Sequence, residues 1–135
     1  MPPQRFTPDE ANAALDEVRP LAEEVVEHRR TRLRAQREHA ELVQRIAGNG
    51  GGIDTQRLAD LEAESERARI GIARCVNRIH GLGAIVKDLD EGLVDFPASH
   101  AGEEVLLCWK VGEEAVAFWH GLDEGFAGRK PLPFE

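Results

Sequence analysis

Only two cysteines, Cys75 and Cys108, occur in these 135 residues, far apart and in no Cys-x-x-Cys spacing. That scarcity offers no disulfide framework and predicts two reduced, buried thiols. No apolar run approaches 18 residues, the length a membrane-spanning helix needs. The opening MPPQRFTPDE is polar where a signal peptide would be apolar. The sequence therefore predicts a cytoplasmic chain with no membrane partner. Gly-x-Ser-x-Gly, the P-loop and the dinucleotide fingerprint are all missing, so no recognised reaction centre is present and the reading leans against an enzyme. No Glu-x-x-His occurs either, which excludes the ferritin-like di-iron arrangement. Positive charge is short as well. There are 17 basic against 25 acidic residues, a net charge of -8; such a surface repels nucleic acid, and none is expected as partner. The deficit is local. Through residue 83, 13 arginines and no lysine face 14 acidic residues, whereas from 84 onward 4 basic residues face 11 acidic ones.

What is present begins with a helix signature. Phe6 precedes Thr7, Pro8, Asp9 and Glu10: a hydrophobic staple, an N-cap, proline at the first helical position and a capping box. Ala11, Ala14, Leu15 and Val18 share one face. Pro20 predicts a kink or brief break, because a proline inside a helix removes a backbone bond. Beyond it a long amphipathic helix should run to about Ala47, stopped by the glycine-rich GNGGGID. Asp54 or Thr55 should cap a second helix. Leu58, Leu61, Ser65, Ala68, Ile72, Cys75, Ile79 and Leu82 follow at alternating steps of three and four, a heptad seam. Leu21, Val25, His28, Arg32, Ala35, His39, Leu42 and Ile46 form a matching one. The two seams predict an antiparallel, coiled-coil-like helical hairpin over 7–83, with its turn at 48–53. Val26, Leu33, Ala40 and Val43 make a second apolar stripe, which predicts self-association into a homo-oligomer, a dimer through the hairpin.

After Gly83 the period changes to two, predicting a small antiparallel β-meander with an irregular C-terminal strap over 84–135. The fold class is thus α+β in a single domain spanning 1–135. In AIVKDLDEGLVDFP, a three-residue loop at Asp90–Gly92 would set Leu89 against Leu93 and Lys87 against Asp95. In EVLLCWKVGEEAVAFWH, a type II′ turn at Gly112-Glu113 would set Trp109 against Val116, Leu107 against Phe118 and Val105 against His120. That register puts Cys108 and His120 on opposite faces, which argues against a nucleophile–base pair. It also sends Trp109 and Trp119 to opposite faces. Pro131 and Pro133 should keep the tail extended.

Few residues invite chemistry. His28 and His39 are eleven positions apart, about 16 Å along a helix, too far to share a metal; they read as seam histidines paired with polar groups. HRRTRLRAQR at 28–37 holds five arginines. It reads as a solvated face answering Glu27, Glu38 and Glu41, or, against the net charge, as an anion- or RNA-binding stripe. The closing segment gathers His120, Asp123 and Glu124, with Arg129 and Trp109 near and Asp88 and Asp95 within reach on the first hairpin. Three readings stand: a structural strap without cofactor, a small-ligand pocket using His120, Asp123, Glu124, Arg129 and Trp109, and a divalent-metal site, zinc for instance, using His120, Asp123, Glu124 and Asp88.

FTPDEANAALDEVRPL, VKDLDEGLVDFP, GEEVLLCWKVGEE and FWHGLDEGFAGRKPL together resemble the bacterial family called domain of unknown function 2203, over nearly the whole chain. The resemblance implies a long helical pair followed by β structure and brings no assigned activity or catalytic residue. The sequence favours a non-catalytic, self-associating interaction module, with a small-ligand or metal-binding protein as the alternative.

Overall fold

The computed structural model describes residues 4–49 and 55–134. Helix α1 runs from Pro8 to Asn49 and helix α2 from Thr55 to Gly81. Five strands follow: β1 (Ile85–Asp88), β2 (Leu93–His100), β3 (Glu103–Lys110), β4 (Phe118–Gly121) and β5 (Lys130–Pro131). They form one antiparallel sheet in the order β1-β2-β3-β4-β5. The architecture is α+β, a helical hairpin followed by a β-meander. No helix among the described residues is long and apolar enough to cross a membrane.

The α1 start is the capping box read from the sequence. Thr7 Oγ1 accepts from the Glu10 N–H at 3.1 Å, and the Thr7 N–H donates to Glu10 Oε1 at 2.9 Å. Pro20 does not break the helix; α1 continues through it and is 42 residues long in all, about 63 Å at 1.5 Å per residue. Thr55 opens α2; of the turn expected at 48–53, residues 48 and 49 still belong to α1, and the rest, with the Asp54 cap, lies outside the described residues.

The seams pack as their spacing requires. Leu61, Ala68, Ile72, Cys75 and Ile79 of α2 are buried, as are Val25 and Ala35 of α1. Of the second stripe, Val26 is buried, whereas Leu33 and Val43 are 38% and 44% exposed. Val26 is covered by the chain's own sheet. A Cβ placed on Gly92 would sit 2.9 Å from Val26 Cγ2 and 2.5 Å from Val111 Cγ2.

The main core lies between the N-terminal part of α1, the end of α2 and the inner face of the sheet. Leu15, Val18, Ile79, Val94, Phe96, Leu107 and Trp109 form its centre. Each such side chain contributes roughly 1.5–3 kcal/mol by leaving water. Phe6 closes the cluster edge-on to Phe96, with centroids 5.2 Å apart.

Both expected hairpin registers change. In the first, Ile85 pairs with Asp95 and Val86 with Val94, and a bulge then sets Asp88 opposite Leu93. Lys87 therefore does not face Asp95. β2 and β3 are joined at Ala101 and Gly102, with φ of 53° and 81°, the two left-handed residues of a type I′ connection. In the second hairpin the Lys110 carbonyl accepts from the Glu113 N–H at 3.0 Å. Gly112, at φ 101°, is thus the third residue of its turn rather than the second. A turn of that hand splays strands instead of pairing them at once. The chain spends residues 111–117 before β4 begins, and Leu106, not Val105, faces His120, with Leu107 opposite Trp119 and Cys108 opposite Phe118. A slip of one residue reverses the face of every side chain on the strand. Trp119 consequently packs against the core that holds Trp109, and His120 joins Cys108 on the outer face. The tail is less irregular than expected. A 3-10 turn at Phe126–Gly128 leads into β5, which pairs with β4.

Candidate metal centre

Three different donors meet on the outer face of the sheet. Asp95 on β2 is directly opposite Cys108 on β3, and His120 on β4 is one pleat further along. One ligand atom from each lies within 4.8 Å of the other two. All three residues are buried, at 2%, 0% and 4% exposure.

The imidazole is oriented by its own strand. His120 Nδ1 lies 2.8 Å from the Gly121 carbonyl oxygen, which can only accept, so Nδ1 carries the proton. Nε2 is aimed at Asp95 Oδ1, 3.3 Å away. In the neutral ring that places a lone pair against a carboxylate oxygen. The conflict is relieved by a second proton or by a cation between the two atoms. The 3.3 Å separation, with a sulfur beside it, matches the spacing of two donors on one tetrahedral cation. A backbone carbonyl fixing one ring nitrogen while the other faces inward is the usual orientation of a metal-binding histidine.

Burial, and then the Asp95 carboxylate, push the Cys108 thiol up to about 12. Without a cation Cys108 is a protonated thiol at neutral pH and a poor nucleophile. Co-facial placement with His120 therefore does not make a catalytic pair. A coordinated cation reverses the balance, because it deprotonates the thiol outright.

The closing segment lies over this face. Arg129 stacks on Phe118 and Phe126, its guanidinium carbon 4.1 and 4.5 Å from the ring centroids. Its Nη2 donates to the Cys108 carbonyl at 3.3 Å and to Glu113 Oε1 at 2.7 Å.

Of the residues assigned to the ligand and metal sets from sequence, only His120 enters the cluster, joined by Asp95, which was expected within reach on the first hairpin. Glu124 is exposed and closes its own loop; its Oε1 accepts from the Gly121 N–H at 2.9 Å and from Lys130 Nζ at 2.8 Å. Asp123 is exposed. Asp88 lies on the far edge of the sheet from β4, where its Oδ2 accepts from the Glu91 N–H at 3.0 Å. Among the described residues no three-donor cluster contains Asp88, Asp123 or Glu124. Trp109 belongs to the opposite face, fully buried, with its indole N–H donated to the Glu113 carbonyl at 2.9 Å. Arg129 borders the cluster through a backbone contact rather than through the donors.

Residues 4–132 match the family model described as "Uncharacterized conserved protein (DUF2203)". The chain belongs to the DUF2203 family. Neither the curated proteins nor the solved structures give a match. The family description assigns no chemistry, so the reading of this DUF2203 chain rests on its donor set. Asp95 is legible as the one ionisable residue inside the run GLVDFPA and as a carboxylate within reach of His120, although the expected register also pairs it with Lys87. Cys108 and His120 share a face only because the observed register differs by one residue from the expected one.

Proposed function

We propose that this DUF2203 chain is a metal-binding protein whose β module holds a first-row divalent cation, zinc foremost, on Asp95, Cys108 and His120. One observation carries the reading: in a dry site, an oriented imidazole nitrogen, a carboxylate and a sulfur converge within 4.8 Å. Tetrahedral zinc with ligand bonds of about 2.0–2.3 Å needs donor separations of roughly 3.3–3.8 Å; the His120–Asp95 pair already stands at 3.3 Å. Burial of all three side chains suits a centre that stabilises the sheet and its strap. The test is cobalt(II) titration of a Cys75→Ser background. A sulfur-to-cobalt charge-transfer band should saturate at one equivalent and vanish on Cys108→Ser or His120→Gln. Saturation of the protein without that band would refute the assignment.

A second reading concerns assembly. Leu33 and Val43 remain exposed on α1, as does Ala40 between them, and a second copy laid along this stripe would cover them. Light scattering after size exclusion should give a dimer that Leu33→Glu converts to monomer; a monomeric parent protein at micromolar concentration removes the reading.

A further inference from the structure

A second set of donors crosses the helical hairpin, away from the β module. Glu24 and His28 are four residues apart on α1 and therefore on one face, and Cys75 comes from α2. One ligand atom from each lies within 4.8 Å of the others, and Cys75 Sγ is 3.9 Å from Glu24 Oε2. Burial differs sharply from the first cluster: Glu24 is exposed, His28 half-buried and Cys75 buried. The trio has a dry floor and a wet mouth.

Gly71 accounts for the imidazole's position. A Cβ there would stand 2.6 Å from His28 Nε2, 2.7 Å from Cδ2 and 2.8 Å from Cε1. The ring occupies the space that any side chain at 71 would fill, and so lies against the α2 backbone. Around it opens a cleft of about 350 Å³, lined also by Arg67, Ile70 and Arg74. Among the described residues neither arginine makes an ion pair. Two guanidiniums thus share a cleft with a thiol, an imidazole and a carboxylate.

We propose that Glu24, His28 and Cys75 bind a first-row divalent cation at a solvent-open centre, and that Arg67 and Arg74 hold a small oxyanion of the phosphate or carboxylate type in its vacant position. Three protein ligands with one open position is the arrangement of zinc sites that exchange ligands. The charges agree. A divalent cation is neutralised by one carboxylate and one thiolate, leaving the two arginines to match a dianion. Guanidinium forks suit its oxygens. The site's signal in the sequence is the Glu-x-x-x-His spacing at 24–28, one residue longer than the Glu-x-x-His of di-iron proteins.

This centre is independent of the one in the β module and is tested with that one disabled. In full-length His120→Gln, cobalt(II) should bind at one equivalent with a sulfur-to-cobalt charge-transfer band. Cys75→Ser should abolish the band. Glu24→Gln, an exposed change that leaves the packing alone, should weaken binding by at least about tenfold. Inorganic phosphate should then shift the visible cobalt bands, and Arg67→Gln with Arg74→Gln should remove that shift. A band that survives Cys75→Ser, or affinity unchanged in Glu24→Gln, overturns the metal site. A phosphate response that persists without both arginines, or no response in the parent, overturns the oxyanion assignment.

Discussion

The carboxamide of Asn12 brackets the backbone of Val116 as a neighbouring strand would. Its Oδ1 accepts from the Val116 N–H at 2.8 Å, and its Nδ2 donates to the Val116 carbonyl at 3.2 Å. One side chain thereby ties α1 to the connection between β3 and β4. Asn12→Ala leaves both backbone groups without protein partners, and each lost bond costs roughly 1–3 kcal/mol where water cannot replace it. Urea unfolding should show a lower midpoint at unchanged slope. Asn12→Asp, which sets an acceptor against the Val116 carbonyl, should be at least as damaging.

Gly92 and Gly102 separate two effects of adding a methyl group. Both have positive φ, 65° and 81°, so alanine costs roughly 1–2 kcal/mol in backbone conformation at either. At Gly102 the new atom meets nothing within 4 Å, whereas at Gly92 it collides with Val111 and Val26. Thermal melts should show Gly92→Ala clearly less stable than Gly102→Ala. The neighbouring Ala101, at φ 53°, should improve on replacement by asparagine, by up to about 1 kcal/mol.

Burial acts first on the Glu113 carboxyl and would raise it, but the Arg129 guanidinium and the Lys110 backbone N–H together hold it below the ordinary glutamate value. A group depressed on folding stabilises the fold above its unfolded value, about 4.3, and that contribution fades as pH falls through the lower folded value. Stability should therefore decline below about pH 4.3, and Glu113→Gln should be less stable at neutral pH with a shallower acid decline. Melting temperatures across an acidic pH series give the comparison.

Removing metal should matter more to the sheet than to the distal hairpin. A cation at a hundred times its dissociation constant adds about 2.7 kcal/mol of stability, a shift of several degrees in melting temperature. Chelation should reverse that shift in Cys75→Ser, which keeps only the β-module site, and have no effect of this kind once Cys108→Ser is added to it, measured by scanning calorimetry.

Local rules carried most of the fold. The capping box at Thr7, the seam through Leu61 to Ile79 and the left-handed Gly92 are each set by a few neighbouring residues, and all stand in the structure. The site was less legible because it depends on register. Lys110, Val111, Gly112 and Glu113 support a turn with glycine second or third, and local chemistry does not choose between them. The third-position turn is held by distant partners: Arg19 donates to the Glu113 carbonyl at 2.9 Å and to the Glu114 carbonyl at 2.6 Å, and Asn12 takes Val116. Those contacts span more than ninety residues, beyond any window of sequence pattern. Asp95 was obscured likewise, since the bulge before Asp88 removes Lys87 from its side.

The seven residues 111–117 work as a parity selector. An odd change in their number, if the ends stayed anchored, would rotate β4 by half a turn, send His120 into the oily interior and bring Trp119 out beneath Arg129. Any relative that gains or loses a single residue there should have exchanged the histidine and its tryptophan neighbour in sequence, or abandoned the trio altogether.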